Sequence, residues 1–307
     1  MKVIPPISTV APWCILPSML TSSTEAEPGA GETAWVSGTT YAVDDVRVYT
    51  TDHRKYKRLV AGAGTTAPNL DTANWKDSGP SNKWAMFDVY RNTATVATSP
   101  LTVVITPGKR VSALALVGMV AESVTVTMTS GGSTVYSYTE DLILRHTTTW
   151  YEYFFGEFAY QPSLIRFDLP PYANGIITIT LTSASAPVQC GAIVVGTAVY
   201  IGQAQHGATS DSLNFSTITR EADGTATLVP RRTIPKTNQT LLIDKGAVNK
   251  AREVKNLLNA VPAVWAGIAD SGDGYFESLL ILGIYKEFTF NLAQPSAATI
   301  ALQLEEI

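Results

Sequence analysis

SVTVTMTSGGSTVYSY, residues 123–138, reads as two strands and the turn between them. Val124, Val126 and Met128 alternate with Ser and Thr, so a strand here has one apolar and one polar face. Ser130, Gly131 and Gly132 supply a turn, and STVYSY returns along the first strand. The surrounding sequence repeats the pattern. LTVVIT (101–106) precedes a PGKR turn, and VSALALVG (111–118) is a buried apolar run. LIRFDL (164–169), IITITLT (176–182) and CGAIVVG (190–196) follow, with Ile177, Ile179 and Leu181 pointing inward. Short strands with turn residues between them predict a sandwich or barrel, here a β-sandwich over 81–199.

Composition agrees with a mainly β chain. At 307 residues there is room for two or three domains. Only 16% of residues are charged, and Thr, Val, Ala and Ser dominate, which favours strands. The net charge of −4 argues against a nucleic-acid partner, because neutralising phosphates needs a basic face. The densest basic run, HRKYKR at 53–58, is expected to be alternate residues of an exposed strand. Cys14 and Cys190 are too few and too distant for a disulfide framework or a metal site, and are expected to be free thiols. No run of 18 apolar residues predicts a membrane span.

Residues 1–32 are rich in proline and end in TSSTEAEPGAGET, a linker composition. Prolines interrupt the apolar part, so the segment reads as an extended arm and not as a signal peptide. Such an arm has no core of its own and should order on another subunit or on the C-terminal domain. The last third, 200–307, reads as a β domain with one helix. STITREADGTATLVP is a hairpin turning at Ala222–Thr225, and the prolines of PRRTIPKTNQT predict a loop or edge strand. A helix is expected at about 247–260, N-capped by Asp244, with Ala251, Val254, Leu258 and Val261 as its apolar stripe. ESLLILGIYKEFTFNL then pairs with ATIALQLEEI across an AQPS turn.

Residues that carry chemistry are sparse. His53, His146 and His206 lie far apart and form no ligand pair, and there is no G-x-S-x-G elbow. AGAG (61–64) reads as a loop, and DSGDG (270–274) as a polar turn lacking the carboxylate spacing of a calcium loop. TWYEYFFGEFAYQP (149–162) sets Glu152 and Glu157 among rings, with Asp168 nearby. Paired carboxylates amid aromatics would suit glycoside hydrolysis. The plainer expectation is that Tyr151, Tyr153, Phe155 and Phe158 are strand faces or an interface. The chain is therefore expected not to be an enzyme and to need no cofactor or metal.

One stretch points to a ligand class. In 34–79, AWVSGTTYAVDDVRVYTTDHRKYKRLVAGAGTTAPNLDTANWKDSG, the order Ala34-Trp35, Tyr41, Asp45, Val46, Tyr56, Pro68 and Trp75 resembles the chitin-binding type modules, carbohydrate-binding families five and twelve. The resemblance implies a small three-stranded domain over 33–80 that packs around Trp and Tyr. It makes Trp35, Tyr41, Tyr49, Tyr56 and Trp75 the candidate carbohydrate-binding residues, since sugars stack on such rings. Two departures matter. Asp44 stands where the family has Gly, which predicts a different backbone turn. Leu59, Val60 and Ala61 stand where the family displays its stacking rings, so Trp35, Tyr41, Tyr56 and Trp75 are expected mainly as core, with Tyr49 a partial platform.

The join SGPSNKWAMFDVYRN (78–92) and the ending ESLLILGIYKEFTFNLAQPSAATIALQLEEI (277–307) resemble bacteriophage and prophage tail proteins, in which a similar stretch follows a chitin-binding type module. The strand order of 81–199 also resembles a galactose-binding-like jelly roll. These resemblances imply a structural component of a phage tail tip or baseplate, assembled in the host cytoplasm and located in the virion. Its partners would be other tail or baseplate subunits, further copies of itself and cell-surface polysaccharide. The rival expectations are a free glycan-binding adhesin or lectin and, more remotely, a glycoside hydrolase.

Overall fold

In the computed structural model, which describes residues 1–8, 12–144, 149–156, 159–184 and 187–307, the stretch that alternates most strictly forms a hairpin. Strands Ser123–Ser130 and Ser133–Asp141 pair antiparallel. Gly131 and Gly132 join them with φ of 59° and 82°, a backbone region that glycine enters without a Cβ penalty. Among the described residues 47% are strand and 10% helix, in several antiparallel sheets with no closed barrel.

The hairpin belongs to a five-stranded sheet. Its order is Ser133–Asp141, Ser123–Ser130, Ile176–Thr182, Leu101–Ile105 and Leu20–Ser23. A three-stranded sheet, Ser163–Arg166, Ala113–Val117 and Ala192–Gly196, shares its core. The inward positions read from the alternation (Val124, Val126, Met128, Ile177, Ile179 and Leu181) are all buried. Ala113–Val117 and Ala192–Gly196 are buried at every residue, so both of their faces are covered. That is why they read as unbroken apolar runs.

Part of the second cover comes from the chain start. Lys2–Ile4 lies between Val199–Tyr200 and Ala263–Ala266 in an eight-stranded sheet. Leu280–Asn291, Ala297–Glu306 and Thr233–Asp244 continue that sheet, and Gln203–Ala204 and Thr209–Asn214 both pair with Thr233–Asp244. One face joins the sandwich core through Ile4, Val264, Ala266, Leu280 and Leu282. The other packs Val3, Ala263, Trp265, Ile300 and Leu302 with Ala251, Val254 and Leu258 of the helix side. The residues expected to be an arm thus contribute a strand to each of two sheets, Lys2–Ile4 to one and Leu20–Ser23 to the other.

Several expectations change in detail. The helix is Val248–Leu257, preceded by a 3-10 turn at Lys245–Ala247, and Asp244 makes no side-chain cap bond. PRRTIPKTNQT is unpaired at 230–232 and paired on one side only at Thr233–Pro235, but from Lys236 onward the strand Thr233–Asp244 has partners on both sides, contrary to a loop or edge throughout. Pro235 is tolerated because the ladder with Ala297–Glu306 starts one residue later, at Lys236, so no donor is lost there. WYEYFF is not a strand but the short helix Trp150–Phe155, closed by a Thr149/Glu152 capping box. In the basic run, Tyr56 and Arg58 are buried and not exposed, because the strand Arg54–Arg58 is central between Val46–Tyr49 and Trp75–Pro80. Gly62–Ala63 of AGAG pairs with Thr40–Tyr41. In DSGDG, the Asp270 and Asp273 carboxylates accept N–H bonds from Gly272 and Tyr275, closing a polar turn. Cys14 and Cys190 are buried free thiols, and burial pushes Cys190 up to about 12. Among the described residues, no helix is long and apolar enough to cross a membrane.

Gly196 marks where the chain start meets the sandwich. A Cβ built there would lie 2.1 Å from the Pro5 carbonyl oxygen and 3.1 Å from Ile4 Cγ2. Gly196→Ala should therefore push residues 4–5 outward and cost about 1–3 kcal/mol. Gly246→Ala, where a Cβ meets open space, should leave stability within about 0.5 kcal/mol of wild type. Paired denaturant titrations check both.

Candidate functional site

The module around 33–80 is a three-stranded sheet, Val46–Tyr49, Arg54–Arg58 and Trp75–Pro80, with the short pair Thr40–Tyr41 and Gly62–Ala63 beside it. Its core is three rings, Tyr41, Tyr56 and Trp75. Tyr41 meets Trp75 edge-on at 5.1 Å. The tyrosine hydroxyls of this core are engaged internally, whereas Arg58 Nε and Nη1 are buried without a hydrogen-bond partner. The Tyr41 hydroxyl accepts the Val36 N–H and donates to the Val36 carbonyl. Tyr56 Oη donates to Asp52 Oδ2 at 2.5 Å, and burial lifts the pKa of both groups. The Arg58 guanidinium, almost fully buried, sits 5.0 Å from the centroid of Trp75 and donates to the Gly62 carbonyl.

Three of the five candidate residues are thus interior and present no face to a ligand. Trp35 and Tyr49 are the other two. They pack edge-on at 5.5 Å, half-buried against the core from outside. At the family's stacking positions, Leu59 and Val60 are exposed aliphatics. Asp44 takes φ 72°, the left-handed conformation that a glycine would supply, and its carboxylate pairs with Lys57 at 2.9 Å. The turn at Asp44 thus has a positive φ, a region that Asp tolerates better than most residues.

A second constellation lies where the module meets the sandwich. Glu27, in the stretch with linker composition, is largely buried. Its carboxylate receives Ser81 Oγ at 2.7 Å and Trp84 Nε1 at 2.9 Å, and lies 2.8 Å from His53 Nδ1. The His53 ring stacks on Trp84 at 4.1 Å. Glu25 and Glu32 reach the same place: Asn82 Nδ2 donates to Glu25 and the Asn82 N–H to Glu32. The linker composition therefore builds a clamp in place of a tether, because its acids converge on Ser81–Trp84. Burial raises the Glu27 pKa, but the bonds from His53, Ser81 and Trp84 outweigh it and hold the carboxyl below its ordinary value. His53 itself has φ 63°, a conformation non-glycine residues rarely hold, fixed here by the stack and the bond. Nearby, Asp88 accepts from Thr93 Oγ1 and the Tyr90 N–H, yet burial lifts it to about 6.

A polar cleft of about 650 Å³ opens beside the C-terminal sheet, with Arg91, Glu277 and Glu306 among its lining. Arg91 bonds Glu277 at 2.5 Å and Glu306 at 3.3 Å, and Arg232 bonds Glu306 at 2.5 Å. These charges neutralise one another and tie together segments up to 215 residues apart. Two of the three carboxylates weighed for hydrolysis are occupied elsewhere. Glu152 accepts the Thr149 N–H, and Asp168 pairs with Arg166 and Tyr136. His206 is exposed, and Glu157, Phe158 and His146 lie outside the described residues. Among the described residues, no three His, Cys, Asp or Glu side chains converge as a metal site.

No family model and no curated protein matches this chain. The framework likeness of 34–79 therefore rests on its own residues. Reading by motif singled out 78–92, which holds Ser81 and Trp84, but not their contact with Glu27, at which only the three acids of TEAEPGAGE hinted.

Glu27→Gln should weaken the clamp by about 2 kcal/mol, the scale of a hydrogen-bonded buried charge. Hydrogen exchange should speed up across 46–58 before it does across 123–130. In the wild type the Glu27 contribution is complete above the ordinary range for a free glutamate and is lost as pH falls through its lowered folded value. Asp88 has the opposite sign. Its raised value means that stability is lost as pH rises from about 4 to 6. Asp88→Asn should therefore gain about 2–3 kcal/mol at pH 8, and thermal melts at pH 4 should show no gain.

Proposed function

We propose that the chain is a structural component of a phage tail tip or baseplate that presents a small sugar-module-like domain toward the host surface. The observation that carries this reading is the Glu27–His53–Ser81–Trp84 clamp. A module that acts alone is served by a loose tether. One that must point in a set direction within an assembly needs buried contacts to its body, and this module has them. The tail-protein likeness at 78–92 and 277–307 supports the same reading. Eight strands in a five-on-three arrangement support a jelly roll of the galactose-binding kind for the sandwich. In this reading 33–80 is the displayed module, 81–199 with Leu20–Ser23 the central sandwich, and 200–307 the C-terminal β domain.

A free glycan-binding adhesin is the second reading, favoured by the half-exposed Trp35–Tyr49 pair. Hydrolysis has less support, because Glu152 and Asp168 are held in separate structural bonds.

Two measurements separate these readings. Mass spectrometry and gold labelling of purified virions should find the chain at the tail end, and its absence from virions would overturn the assembly role. Binding of the purified chain to whole cells should fall at least tenfold with Trp35→Ala or Tyr49→Ala if that pair carries adhesion. Binding that both variants retain would exclude the pair.

A further inference from the structure

Among the described residues, the densest cluster of exposed rings is not in the module. The helix Trp150–Phe155 stands between Ile143–Leu144 and Ala159–Tyr160, which pair with each other. Trp150, Tyr151, Phe154 and Phe155 are 79%, 73%, 67% and 73% exposed. The rings are ordered in two rows one helical turn apart: Trp150 stacks on Phe154 and Tyr151 leans on Phe155. Tyr153 meets both Trp150 and Phe154 edge-on. The helix is held by its own Thr149/Glu152 box and contributes no buried residue to any core.

We propose that this helix is a self-association surface, and that its occupant is the same helix on a second copy of the chain. Area is the first reason. At about 200 Å² per ring, the four most exposed rings leave about 600 Å² open, at the upper end of what a monomer's largest patch shows. Two such faces meeting would bury up to about 1,200 Å², the lower end of the range of stable interfaces. Complementarity is the second reason. Rings prefer offset and edge-to-face contacts, and a face that already alternates stacked and edge-on pairs offers both to its own copy. A contact between identical patches also closes on itself.

Charge argues against a lipid surface. Helices that lie on membranes carry Lys and Arg on their polar side. Here the only charged residue in the helix is Glu152, and the chain as a whole has a net charge of −4. The contact does not depend on the virion reading, since copies can associate whether or not the chain belongs to a tail.

Sedimentation velocity of the full chain from about 0.1 to 100 µM tests the contact. The expected result is a reversible dimer or larger complex. Trp150→Ser and Phe154→Ser should each raise its dissociation constant at least about thirtyfold, with unchanged circular dichroism and melting temperature. Leu292→Ser, exposed on a different element, should leave it unchanged. A monomer at every concentration, or a complex indifferent to both ring substitutions, would overturn the proposal. So would a monomer that co-sediments with phosphatidylcholine vesicles only while Trp150 is present, which would assign the face to lipid.

Discussion

The junction between the sandwich and the C-terminal sheet depends on three residues at the start of the chain. Lys2–Ile4 completes the sheet between Val199–Tyr200 and Ala263–Ala266. Successive side chains of a strand point to opposite faces, so Val3 enters one core and Ile4 the other. A single peptide unit thus faces two hydrophobic interiors. Without that strand, Ala263–Ala266 would have an open edge, and the outer face of Ala192–Gly196 would lose part of its cover. The Gly196 approach to Pro5 shows how close this fit is.

What could be read from sequence divides along a physical line. Alternation with a period of two is local, so Ser123–Ser130 and Ile176–Thr182 were legible to within a residue or two. The helix near 247–260 was legible for the same reason, through the spacing of Ala251, Val254 and Leu258. Pairing across the chain is not local. Nothing in residues 2–4 names 263–266 as their partner, and nothing in Arg91 names Glu306. The aromatic helix shows a different failure. Ring-rich stretches favour strands, yet Thr149 and Glu152 stand at capping-box spacing. Within six residues that local cue outweighed the propensity.

The candidate site was legible as a fold and not as a surface. Ring spacing identified which side chains gather, and Tyr41, Tyr56 and Trp75 do gather. Spacing does not say which side of a ring meets solvent, and burial removes three of the five candidates. Asp44 shows that a residue other than glycine can hold the left-handed conformation at a turn. The clamp was hidden for another reason. Small polar residues with Pro and Gly look like a spacer until the partners of each carboxylate are known.

The docked module has already given up its freedom to rotate when the chain folds. Tethered domains surrender that freedom only on meeting a ligand, and the lost entropy weakens each contact. Here that cost falls on folding. In an array of copies the distance between modules would then be set by the bodies beneath them. Such an array would act as a ruler, engaging ligands whose own spacing matches it and passing over those that do not.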